Sequence, residues 1–120
     1  MEYYDLIDTL ITVPDVSNYS TYLANLPRAR VKYRPRGPFA IITSQPLAAK
    51  TKVNQLIRDL FPNCSKIYQV QGTSGKINTL TRLGADNYTD NDPQVRAAIA
   101  RKLPDLDLYR ISGGSKQKAN

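Results

Sequence analysis

Short runs of β-branched and aromatic residues alternate with stretches of 3.6-residue apolar periodicity along nearly the whole chain. This alternation narrows the possible folds more than any other feature. The extended runs fall at residues 2–7, 39–43, 66–71, 87–89 and 107–111, each too short for a helix and bounded by Gly, Pro, Asn or Asp. Helical patterns lie between them. Residues 18–26 stop at Pro27, while residues 47–61 place Val53, Leu56, Ile57, Leu60 and Phe61 on one face and stop at Pro62. Residues 76–83 run into Gly84, a C-terminal signal, and residues 93–103 start behind Asp92 with Pro93 in the first helical position. Strand then helix, repeated, predicts a parallel sheet with helices on its faces. The expected fold is α/β, a three-layer Rossmann-like sandwich with a five-stranded, mainly parallel sheet built by residues 1–111. Residues 112–120, rich in Gly, Ser and Lys, are expected as a flexible basic tail.

Composition removes several chemistries. The chain holds no histidine, which excludes a Ser-His-Asp triad, a Cys-His dyad and a His-bearing zinc site. A single cysteine, Cys64, excludes an internal disulfide and any CxxC centre. No apolar run approaches the ~18 residues of a membrane span, and the acidic opening Met1-Glu2-Tyr3 does not read as a signal peptide. The expectation is a cytoplasmic protein with no membrane partner. With 17 Lys+Arg against 10 Asp+Glu the formal charge is +7, which favours phosphorylated or nucleic-acid partners. Carboxylates, lysines, hydroxyls and a divalent metal remain for chemistry.

Parallel sheets bind ligands beyond the carboxyl ends of their strands. Those ends carry Asp5 and Asp8, then Thr43 and Ser44, then the Gly-Thr-Ser-Gly-Lys run at 72–76, then Asp90, Asn91 and Asp92. Carboxylates, hydroxyls and one lysine on one rim suit Mg²⁺ holding a phosphate. The same residue types also serve as helix caps and turn formers at such loops. The 72–76 run departs from a nucleotide-binding P-loop, because the spacing is short and Ile77 follows the lysine.

The order and spacing of these residues resemble the haloacid dehalogenase superfamily of phosphatases. Lys76 opening a helix, then Leu-Gly-Ala-Asp at 83–86 and the acidic Asp90-Asn91-Asp92 before Pro93, looks like that family's third and fourth motifs. Ile41-Ile42-Thr43-Ser44 resembles the second, and Asp5-Leu6-Ile7-Asp8-Thr9-Leu10 the first, usually written DxDGTL. The resemblance implies a capless phosphatase using Mg²⁺, since only 33 residues separate Thr9 from Thr43. It implies Asp5 as nucleophile and metal ligand, Asp90 and the Ile7 main-chain carbonyl as further metal ligands, Thr43 on a phosphoryl oxygen, and Lys76 neutralising charge. Asp8, Asn91 and Asp92 are alternative metal or supporting groups, and Asp8 is the alternative nucleophile position. In either register the second carboxylate of the first motif is missing, with Ile7 or Leu10 in its place. The implied function is a slow phosphomonoesterase acting on a nucleotide or nucleic-acid end. The alternative is a catalytically degenerate domain that binds nucleic acid or a protein assembly.

One segment is unusual in composition. Arg28, Arg30, Lys32, Arg34 and Arg36 occupy every second position with no acid among them. If extended, they point one way at intervals of about 6.6 Å, as a ladder for a phosphate backbone. The other reading is an edge strand whose charges deter pairing with another chain.

Overall fold

A computed structural model describes all 120 residues, Met1–Asn120. The elements run β1 (Glu2–Tyr4), β2 (Ile11–Thr12), α1 (Tyr19–Asn25), β3 (Arg30–Val31), β4 (Phe39–Ser44) and α2 (Lys50–Leu60). They continue with β5 (Cys64–Val70), α3 (Gly72–Leu83), β6 (Asn87–Thr89), α4 (Pro93–Lys102), β7 (Asp107–Ser112) and β8 (Ser115–Lys118). Local chemistry sets the helix ends. Asn18 accepts from the Thr21 N–H ahead of α1, and Asp92 accepts from Gln94 and Val95 ahead of α4, with Pro93 behind it. Gly84 closes α3 in the left-handed region at φ 61°.

Six strands form one sheet in the order β5-β4-β1-β6-β7-β8, parallel throughout except for the β7–β8 pair. β2 and β3 pair separately as an antiparallel ribbon. The fold is mixed α/β with helices on both faces, and the alternation of β4 shows why. Ile41 packs with Tyr4, Phe39 and the α2 residues Val53 and Ile57, whereas the adjacent Ile42 packs with Tyr88, Leu108, Leu80 of α3 and Ile99 of α4. A strand buried on both faces needs apolar residues at consecutive positions, and the Phe-Ala-Ile-Ile run supplies them.

Three expectations are corrected. The sheet has six strands, not five, because residues 112–120 are not a loose tail. Gly113 and Gly114, at φ 57° and 77°, turn β7 directly into β8, conformations a side chain would oppose. The Lys116 ammonium then lies 4.8 Å from the Tyr4 ring centroid and 4.6 Å from that of Tyr109, and reaches Glu2 at 3.1 Å. The Asn120 side chain ties down the last turn by bonding Leu108 N–H and Leu106 C=O. Second, the first strand ends at Tyr4 rather than residue 7, because the N–H groups of Thr9, Leu10 and Ile11 all turn back onto the Leu6 carbonyl. Third, α3 begins at Gly72 rather than Lys76, so the 72–76 run is a helical first turn and not a phosphate-cradling loop. Its Gly75 is demanded by packing: a Cβ there would come within 3.0 Å of the Val70 Cβ.

Candidate functional site

β1 stands where the sheet changes direction, with β4 and β5 built outward on one side and β6 and β7 on the other. Such a switch point opens a crevice beyond the strand ends. Asp5 leaves β1 and Asp90 leaves the neighbouring parallel strand β6 at the same level, since Tyr4 pairs with Thr89 and the Asp5 N–H bonds the Thr89 carbonyl at 2.8 Å. Lys76 reaches between them from the buried face of α3. Its ammonium is 3.1 Å from Asp5 Oδ1 and 2.8 Å from Asp90 Oδ2, and lies 5.7 Å from the Tyr88 ring centroid. All three charged groups are buried.

Neighbouring groups hold this triad in place. Thr9 Oγ1 donates to Asp5 Oδ2 at 3.3 Å and accepts from the Asn91 N–H at 3.1 Å. Asp90 Oδ1 accepts from the Asp92 N–H at 2.9 Å, and Arg96 donates to the Asp90 carbonyl at 2.8 Å. The Asn91 amide is clamped to the main chain of Ile111 at 2.7 and 2.9 Å. Each carboxylate therefore has its orientation set by donors other than the lysine.

The electrostatics follow from burial and proximity. Burial, then repulsion from Asp90, pushes the Asp5 carboxyl up to about 7 despite the opposing pull of Lys76. Burial works against the Lys76 charge, but the two carboxylates more than offset it and hold its pKa above the usual lysine value. Burial with two anions nearby also drives the Tyr88 phenol far above its ordinary range, keeping it a neutral donor to the Ile42 carbonyl at 2.9 Å. Fully ionised, the triad has two negative charges against one positive. One proton or one added cation balances it.

Above the triad opens a cavity of about 380 Å³. Of the residues singled out from sequence, Asp5, Ile7, Asp8, Lys76, Asp90, Asn91 and Asp92 all line it. Asp5, not Asp8, is the carboxylate that shares Lys76 with Asp90. Asp8 is exposed, at φ 64° in the turn after β1. Thr43 is a correction: β4 runs one residue further than expected, so Thr43 is fully buried inside the sheet and its hydroxyl accepts from Gln45 at 3.1 Å. Ser44 and Gln45 line the cavity instead. Thr9 entered the sequence reading only as the threonine of the resembled first motif, and Gln45, Tyr88 and Arg96 were given no role there. Thr9 had a signal in its Asp-x-x-x-Thr spacing, whereas the other three become recognisable only once distant segments meet.

No family model, curated protein or solved structure matches this chain. The site is therefore judged on its own chemistry. Its acceptors are hard oxygens and its charge is short by one positive, the chemical type of donor that Mg²⁺ takes, while Lys76 bridges the two carboxylates as they stand. No third carboxylate joins them. Asp92 is committed to capping α4.

The basic segment lies apart from the triad but touches its rim. All five side chains are exposed, while Ala29, Val31, Tyr33 and Pro35 between them turn inward, Tyr33 stacking on Tyr4 with centroids 6.1 Å apart. Only Arg30 and Val31 are in a strand; Arg28 ends a 3-10 turn. Lys32 donates to the Asp8 carbonyl at 2.9 Å, and Arg34 lies over Phe61 at 5.2 Å. None of the five pairs with a carboxylate.

Proposed function

We propose that this protein is a cytoplasmic, haloacid-dehalogenase-like phosphoryl-transfer domain of the three-layer Rossmann-like kind, a slow Mg²⁺-dependent phosphomonoesterase acting on a nucleotide or nucleic-acid end. The observation that carries this reading is the shared contact of Lys76 with Asp5 and Asp90 at the ends of adjacent parallel strands, beneath an open polar cavity. Asp5 would attack phosphorus with one carboxylate oxygen. The bond to the leaving oxygen breaks, and water then hydrolyses the acyl phosphate. Lys76 offsets charge on the intermediate, and Thr9 holds the second Asp5 oxygen in line. Ser44 offers the cavity-facing hydroxyl that Thr43 does not. Mg²⁺, when bound, would supply electrostatic stabilisation of the phosphoryl oxygens. Ile7 cannot donate a proton to the leaving group, which accounts for a slow enzyme that favours good leaving groups.

The assay is hydrolysis of p-nitrophenyl phosphate with Mg²⁺, comparing wild type with Asp5→Asn. Wild-type turnover is expected, falling to the uncatalysed rate in the variant and on chelation of the metal. Equal turnover in both proteins would place the activity elsewhere.

The unpaired ladder at 28–36 favours a second reading, a fold without turnover that binds nucleic acid through that face. Replacing Arg28, Arg30 and Arg36 by Gln would then weaken binding to single-stranded oligonucleotides and lower the salt slope by about 0.7 per lost phosphate contact. An unchanged slope in a titration from low to physiological salt would remove this reading.

A further inference from the structure

A second cleft adjoins the polar cavity and has no part in the chemistry above. It encloses about 350 Å³ between Ile7, Val16, Tyr19, Tyr22, Gln45 and Pro46. Ile7 and Gln45 line both spaces, so a molecule with a phosphate in one can extend into the other without leaving the protein surface. Of the four large hydrophobic side chains left exposed on this chain, Val16 (45%) and Tyr19 (44%) both stand on this cleft. Solvent-facing apolar groups gathered in one concave site mark a binding surface more often than chance exposure.

The cleft's chemistry narrows its occupant. Tyr19 and Tyr22 stand with ring centroids 6.3 Å apart and planes inclined by 34°; Tyr22 is buried, and the exposed Tyr19 is the aromatic side chain open to a flat π-system. Gln45 supplies direction. Its carbonyl oxygen accepts from the Tyr22 hydroxyl at 2.7 Å and its amide donates to Thr43 at 3.1 Å, which locks the side chain while leaving one N–H and one lone pair unused. A fixed amide presenting one donor and one acceptor matches the N6/N7 edge of adenine. From these observations we infer that the cleft seats the base of a nucleotide, adenine fitting best, whose phosphate lies over Asp5, Lys76 and Asp90. This rests on the phosphoryl-transfer reading for the position of the phosphate, whereas the base pocket stands on its own residues.

Isothermal titration of the full chain with AMP, ribose 5-phosphate and adenosine, in Mg²⁺, tests it. AMP is expected to bind at least about tenfold more tightly than ribose 5-phosphate, in line with one base stacked on aromatic side chains. Tyr19→Ala, a change at an exposed position, should bring AMP to the affinity of ribose 5-phosphate and leave the latter unmoved. Adenosine binding without either phosphate compound would keep the base cleft and sink the phosphate site. Equal affinities for AMP and ribose 5-phosphate in the wild type would overturn the cleft, as would a Tyr19→Ala protein that keeps the full preference. Failure of all three to bind would overturn it as well.

Discussion

Replacing Lys76 by methionine is expected to destabilise the protein by about 3–5 kcal/mol in mildly alkaline solution, because it strands two buried carboxylates without their counter-charge. The sign of the pH dependence separates this cause from a packing defect. The Asp5 carboxyl sits near 7 in the fold through burial and the nearness of Asp90, above its ordinary 3.8. Between those values the folded chain holds a proton that the unfolded chain has released. Its contribution is fully present below pH 3.8 and is lost as pH rises through 7. The raised Lys76 pKa has its own window, with stability complete below the usual 10.5 and lost only in more alkaline solution. Without the ammonium the pull that restrains Asp5 disappears and its pKa climbs further. The penalty of Lys76→Met should therefore shrink as pH falls from about 9 towards 6, where Asp5 is protonated in both proteins, and adding Asp5→Asn to it should restore much of the loss at the alkaline end. Urea unfolding in chelator-containing buffer measures both. A penalty of the same size at both pH values would show that lost packing, not charge, is responsible.

Placing a carboxylate at position 7 is expected to raise turnover by about 10²–10⁴ for phosphate esters of poor leaving groups, the range a positioned general acid contributes. Ile7 is half-buried and lines the cavity beside Asp5, so the introduced group would face the space in which the leaving oxygen departs. The gain with p-nitrophenyl phosphate should be much smaller, because that leaving group departs without a proton. In the Asp5→Asn background the gain should vanish, since an acid without a nucleophile has nothing to assist. The measurement is kcat for Ile7→Asp on an alkyl and an aryl phosphate. Equal gains on the two would argue that the new side chain acts through charge or solvation and not by proton donation.

The position of Asp5 and Asp90 shows how fold and site depend on each other. Neither residue is unusual in its own segment. What makes the pair chemically notable is that β1 and β6 are parallel neighbours in register, so two carboxylates leave the sheet together and share one ammonium. An apolar residue where the resembled first motif carries a second carboxylate, Ile7 or Leu10 by register, was by contrast visible in the sequence, because it is a matter of residue type and not of arrangement.

Most elements were legible because their causes are local. Apolar period, a capping Asn18 or Asp92, a Pro behind it and a closing Gly84 act over a few residues, and the helices fall within a turn of expectation except α3, whose early start left no hydrophobic mark. The alternating exposure of residues 28–36 was legible for the same reason. The β7–β8 hairpin was hidden because its strand reads Ser-Lys-Gln-Lys, polar on both faces, and its stability comes from Tyr4, Tyr109 and Glu2, which only the sheet order brings beneath Lys116. Thr43 was misplaced because one extra paired residue moves a strand end, and the free energy of that last pairing depends on β5 alongside it. Segment identity therefore lay within the sequence, where neighbouring residues set the torsions. The ion triad, the cavity and the aromatic cleft were decided only in three dimensions, since each is made by groups whose proximity depends on strand order and register.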